Sequence, residues 1–155
     1  MKIVLAAINA KYIHANLAVC SLRAFSDEYK EQIQIKEYTI NQYTEDILAD
    51  LYKEKADMVA FSCYIWNISY IMEIVRDVKK VLPEVEIWLG GPEVSYDAKK
   101  VLTREPDVCG VMRGEGELTF TELVRAYLKR EELCAASLDL DHIPGITYRA
   151  ESGEV

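Results

Sequence analysis

Ile3-Val-Leu-Ala-Ala-Ile8 and Met58-Val-Ala-Phe61 are apolar at every position, and they constrain the fold of this chain more than anything else in it. A strand with one wet face alternates apolar and polar residues, whereas a strand buried on both faces does not, and parallel sheets are buried on both faces. The segments between and after these runs have helical spacing. Ala18, Leu22, Phe25 and Tyr29 recur as one helical stripe, Ile33 to Tyr38 alternates like a strand with one exposed face, and Ile47, Leu48 and Leu51 mark a short second helix. Ile68, Ile71, Val75, Val78 and Leu82 trace a longer helix closed by Pro83. Val85, Ile87 and Leu89 form a strand stopped by Gly90-Gly91-Pro92, a short helix covers Ala98 to Leu102, and Val108 to Met112 is a fifth strand. Phe120, Leu123, Val124, Tyr127 and Leu128 place a last helix on the sheet.

Successive βα units require right-handed, covered crossovers, which predicts an α/β, doubly wound, flavodoxin-like (Rossmann-like) fold. The expected sheet has five parallel strands in the order 2-1-3-4-5. Residues 1–130 are read as this domain. Residues 131–155 are read as an acidic linker followed by a strand, Ile143-Pro-Gly-Ile-Thr-Tyr-Arg149, entering a turn at Glu151 to Gly153. The chain stops where a hairpin partner should begin, so it is expected to continue into another domain, with a flexible native tail as the other reading.

A formal net charge of −8 with no clustered Lys or Arg argues against nucleic acid as a partner. The run from Ile3 to Ile8 is too short to span a bilayer, and no cleavage site follows it, so neither a membrane segment nor a signal peptide is read. Cys20, Cys63, Cys109 and Cys134 have no metal-ligand spacing and read as reduced thiols, which points to the cytoplasm.

In open α/β sheets the ligand lies outside the carboxyl ends of the strands, at the switch point between strands one and three. That selects four loops: Asn9 to Asn16, Ser62 to Asn67, Gly90 to Ser95 and Arg113 to Glu117. Tyr12, Tyr64, Trp66 and Tyr96, with Ile13 and Ile65, make these turns unusually apolar. A broad planar ligand would cover them, and so would a docked domain; packing of Tyr64 or Ile65 into the core is a third reading. Gly90-Gly91 lets backbone approach a ligand or simply makes the turn before Pro92. Ser62 either donates into the crevice or bonds its own backbone. The Glu residues of Arg113-Gly-Glu-Gly-Glu117 suit a helix amino terminus and oppose phosphate there. His14 reads as a surface or hydrogen-bonding residue, with metal ligation the alternative. A phosphoacceptor receiver is excluded, because Asn9-Ala10 and Ser62-Cys63 stand where its acidic residues would be, and the first loop has no glycine to cradle a nucleotide.

With these loops in place, the sequence resembles the amino-terminal cobalamin-binding domain of cobalamin-dependent radical S-adenosylmethionine enzymes. The carriers are Asn9-Ala-Lys-Tyr-Ile-His14, Ser62-Cys-Tyr64, Gly90-Gly-Pro-Glu-Val-Ser95 and Arg113-Gly-Glu-Gly-Glu-Leu-Thr-Phe120, and the segment from Ile143 to Arg149 resembles the linker into the radical domain. The resemblance implies a cobalamin-binding site built from Asn9, Ala10, Lys11 and Tyr12 in the first loop and Ser62, Cys63, Tyr64 and Trp66 in the second. Gly90, Gly91, Pro92 and Glu93 complete it in the third loop, and Gly114, Glu115 and Gly116 in the fourth. The nucleotide tail would pass Ser62, Gly90 and Gly91, and the corrin would lie over Tyr12, Tyr64 and Trp66. The DxHxxG motif that supplies an axial His is absent, with Tyr12 and Leu17 at the corresponding positions around His14, so cobalt would have no protein ligand from below. The CxxxCxxC loop of the radical domain is absent too, which leaves S-adenosylmethionine and the iron-sulfur cluster to a following domain of the same polypeptide. The parent would be a methyltransferase or an oxidative cyclase resembling the magnesium-protoporphyrin ester cyclase. The alternative is a degenerate module without cobalamin that serves as an interaction or substrate-docking surface.

Overall fold

The structure is a computed structural model that describes residues 1–11, 15–133, 138–150 and 152–155. In chain order it runs β1 (Ile3–Asn9), α1 (Leu17–Phe25), β2 (Ile33–Thr39), α2 (Thr44–Glu54), β3 (Met58–Ser62), α3 (Ile68–Val81), β4 (Glu86–Gly90), α4 (Pro92–Ser95), α5 (Ala98–Arg104), β5 (Gly110–Met112), α6 (Glu117–Glu132) and β6 (Ile146–Tyr148). All six strands join one sheet in the order β2-β1-β3-β4-β5-β6. The first five are parallel to their neighbours, and β6 runs antiparallel to β5 with Thr147 opposite Val111.

The sheet is therefore mixed and six-stranded, where the sequence predicts five parallel strands. The difference has a local cause. Strand β5 is short and would leave its outer N–H and C=O groups open, and the segment after α6 returns to pair with them. Arg113 N donates to Gly145 O at 2.6 Å and Arg149 N to Cys109 O at 2.8 Å, one at each end of this ladder. Leu140 and Ile143, just before β6, are buried against the same core. A turn follows β6, with Gly153 N donating to Ala150 O at 2.8 Å.

Alternation along the strands divides the interior in two. Val4, Ala6, Ile8, Val59, Phe61, Ile87, Leu89 and Val111 face α2, α3 and α5. Ile3, Leu5, Ala7, Met58, Ala60, Trp88 and Met112 face α1 and α6. No described helix is long and apolar enough to cross a membrane.

Two side chains fix the carboxyl edge. Asn16 caps α1, its Oδ1 accepting from Val19 N at 3.3 Å. Asn67 is wholly buried at the start of α3: its Nδ2 donates to Ile8 O (2.9 Å) and Ser62 O (3.0 Å), and its Oδ1 accepts from Tyr64 N (2.7 Å). It thus ties the ends of β1 and β3 together at the switch point, where the chain diverges to opposite sides of the sheet. At the far edge Lys36 on β2 bonds Asp50 (3.0 Å) and Glu54 of α2, and Lys2 bonds Glu54 at 2.6 Å.

Candidate functional site

The register of the strands produces a hollow. Leu5, Ala60, Trp88 and Gly110 form one row across the sheet, and Ala7, Ser62, Gly90 and Met112 form the next row toward the carboxyl edge. Both rows lie on the side of α1 and α6. Trp88 fills the space over Gly110, where a Cβ would come within 2.3 Å of its ring, and its Nε1 donates to Tyr127 Oη at 2.9 Å. Nearer the carboxyl edge the side chains of Ala60 and Ser62 are short and Gly90 has none. The helices cannot close on the sheet there, and a cavity of about 490 Å³ remains. Leu5, Ala60 and Met112 form its floor, Ala18, Val19 and Leu22 of α1 form one wall, and the loops after β3, β4 and β5 form its mouth.

Those loops are held to each other. Gly91 has φ +105°, and a Cβ on it would stand 2.5 Å from Cys63 O, so the loop after β4 lies directly on that after β3. Cys63 N donates to Gly90 O at 2.7 Å. Ser95 joins the third loop, its Oγ donating to Gly91 O (2.8 Å) and accepting from Gly114 N (3.3 Å). Glu117, the first residue of α6, accepts from Ser21 of α1 at 2.8 Å. The mouth is in this way framed by hydrogen bonds between elements far apart in sequence.

Of the residues selected from the sequence, Ser62, Tyr64, Gly90, Gly91, Pro92, Gly114, Glu115 and Gly116 line the cavity. Asn9, Ala10, Lys11, Cys63, Trp66 and Glu93 are not among its lining. Asn9 turns to Glu37, donating at 3.0 Å, and Ala10, Lys11 and Glu93 are exposed. Cys63 is fully buried on the opposite face of the sheet, where desolvation pushes its thiol far above the ordinary range. Trp66 lies outside the cavity but stacks on Tyr64, with ring centroids 4.5 Å apart and planes 7° from parallel. Tyr12, Ile13 and His14 fall outside the described residues. The glycine at 91 serves the loop itself, since the space its missing Cβ leaves is taken by the Cys63 backbone rather than by the cavity.

Sequence reasoning missed Leu5, Ala60 and Met112, and it read Ala18 and Leu22 only as part of a helical stripe. The available signal was the alternation of small residues on one strand face, with Ala60 and Ser62 on β3 and Gly90 on β4. Around the mouth lies an apolar rim: Leu17 is 79% exposed, Ile65 77% and Tyr96 94%. Among the described residues no three His, Cys, Asp or Glu side chains gather as a metal-binding group. Large, apolar, mostly preformed and furnished with a few hydroxyl and backbone groups, the cleft has the properties of a binding site for a bulky ligand.

Comparison with known proteins agrees with this geometry. The profile of the B12 binding domain matches residues 3–124. The cobalamin-dependent radical SAM methyltransferase TokK of Streptomyces tokunonensis is 32% identical over 93 residues, 60% of this chain and 13% of that protein. The anaerobic magnesium-protoporphyrin IX monomethyl ester cyclase of Synechocystis is 31% identical over 74 residues, 48% of this chain and 13% of that protein. The chain thus matches about an eighth of the length of these relatives. Among solved structures, the cobalamin-dependent S-adenosylmethionine radical enzyme OxsB superposes on 99% of the chain with a TM-score of 0.72 at 20% identity, the match covering 21% of OxsB. A sheet hollowed at its carboxyl edge and a family match across both of its halves lead to one conclusion: the chain belongs to the B12 binding domain family.

Proposed function

We propose that this chain is the cobalamin-carrying module of a longer protein whose following domain performs radical S-adenosylmethionine chemistry, as a methyltransferase or an oxidative cyclase. The observation that carries the reading is the 490 Å³ cavity made by short side chains at the carboxyl ends of β3 and β4. Its place between the sheet and α1 suits the nucleotide tail of cobalamin, and the exposed Ile65, Trp66 and Tyr96 suit the flat corrin above it. Ser62, Gly90 and the loop from Gly114 to Gly116 would hold the tail. Tyr64, backed by Trp66, would meet the edge of the ring.

Cobalamin supplies, when bound, a cobalt centre able to carry an alkyl group. The chain's own residues would orient that centre and keep water from the tail. With no DxHxxG motif, the chain would offer the cobalt no histidine from that motif. Rim residues beyond the corrin, Leu17 among them, would then meet the following domain. In this reading residues 131–155 carry β6 and lead out of the module.

The experiment is retention of cofactor. Protein incubated with hydroxocobalamin and desalted should keep a stoichiometric visible spectrum, and loss of colour would overturn the proposal. Ala18 stands exposed on α1 at the cavity wall, so Ala18→Trp should fill the space and abolish retention while leaving the melting temperature within a few degrees. His14→Ala should leave the spectrum unchanged, and a shift would mean that imidazole reaches cobalt.

A further inference from the structure

We propose that the cavity selects among corrinoids by their lower base, accepting benzimidazole and rejecting purines. The inference rests on the reading that the nucleotide tail enters this cavity, and it concerns what the inner surface can recognise.

The deep surface consists of Leu5, Ala60 and Met112 from the sheet and Val19 and Leu22 from α1. Each offers hydrocarbon or thioether. The strand backbones beneath are engaged in the ladders between β1, β3 and β4, so they present no free donor or acceptor to a base lying on them. Polar side chains begin only at the mouth. There Ser95 bonds Gly91 O and Gly114 N, one carboxylate oxygen of Glu117 accepts from Ser21, and Tyr64, Tyr96 and Glu115 complete the polar rim. Between the two zones stands Ser62, buried in the row above Ala60, with a hydroxyl that can serve one partner on the ligand.

A benzimidazole that is not bound to cobalt has one free ring nitrogen, and the rest of its outline is C–H and methyl. One hydroxyl and a hydrocarbon pocket match that inventory. Adenine has an exocyclic amine and further ring nitrogens, all hydrated in water, and most would enter this pocket with no partner. Burying an unpaired polar group is penalised far more than a made hydrogen bond is rewarded. The discrimination therefore comes from what the floor lacks.

The test is a titration followed by visible absorption, with the intact chain and three corrinoids: cobalamin, the cobamide carrying adenine, and cobinamide, which has no nucleotide. Cobalamin should bind at least about tenfold more tightly than either of the others, the size expected for leaving buried polar groups unpaired. Met112→Gln, near in volume, sets an amide in the floor and should narrow the preference for cobalamin over the adenine form by at least about threefold. Ala60→Ser provides a second polar floor if that variant does not fold. Failure to bind any corrinoid would overturn the proposed function itself. Cobinamide binding as tightly as cobalamin would show that the tail does not use the cavity and would overturn the inference while leaving corrinoid binding intact. Equal affinity for cobalamin and the adenine form, with cobinamide weak, would overturn the selectivity alone. An unchanged preference in folded floor variants would overturn it as well.

Discussion

Gly91 and Gly114 both have positive φ, at +105° and +74°, but their surroundings differ. Gly114 has nothing within 4 Å of where a Cβ would sit, so Gly114→Ala should cost only the left-handed backbone penalty of about 1 kcal/mol. Gly91 combines φ +105° with ψ 170°, a region closed to other residues, and its Cβ would collide with the Cys63 carbonyl. Gly91→Ala should therefore cost about 3 kcal/mol or more, compared by urea midpoints of the two variants. That glycine was legible in the sequence as a turn before Pro92, but its neighbour was not, because Cys63 meets it through a crossover and not through sequence proximity. Asn67 is a parallel case. In the sequence it is only the last residue of the loop after β3, yet its amide is spent on the ends of two strands.

At the scale of elements, strongly patterned segments were legible and the pairing of β6 with β5 was not. The stripe from Ile68 to Leu82 gives α3 with its bounds nearly intact, because a buried face repeats through the whole helix. The length and partner of β6 depend on an open edge that no local pattern records. The hollow depends on three strands being in register, so the small residues of β3 and β4 look unremarkable until they are laid side by side. Ionic chemistry concentrates where β2 meets α2. Hydrogen bonds from Lys2 and then Lys36 lower the Glu54 carboxyl to about 2. A carboxylate with a depressed folded-state pKa stabilises fully above its unfolded value, and that contribution fades as pH falls from the unfolded value toward the folded one. Glu54→Gln should accordingly be less stable than the native chain by about 1 kcal/mol near neutrality, and the gap should close as pH drops from roughly 5 to 2. Denaturation midpoints measured across that range would show the convergence.

For the whole molecule the site and the stability of the fold are linked. A ligand that binds only the folded chain stabilises it by mass action, about 2.7 kcal/mol at a hundredfold excess over Kd. For a domain of this size that corresponds to a rise of roughly 5–10 °C in Tm. Differential scanning calorimetry with and without cobalamin should record it, and the Ala18→Trp variant should not respond. The carboxyl-edge location was legible from the alternation of strands and helices alone, since that alternation fixes where a parallel sheet opens. The depth of the cleft was not, because it is a property of packing between α1 and a sheet face whose composition is set at widely separated positions.

The row containing Ser62 and Gly90 also bears on how this domain can change. A hollow in a well-packed protein is the place where a larger aliphatic side chain would add the most contact, so random substitution and deliberate stabilisation both favour closing it. Ser62 and Gly90, which keep the cleft open, are therefore positions where a larger aliphatic side chain would be expected to raise the stability of the unliganded chain. Mutants selected for heat resistance alone would be expected to lose the cleft first, and descendants of this fold that no longer carry a ligand should be recognisable by bulky residues at those positions while the loops around them still read as glycine-rich.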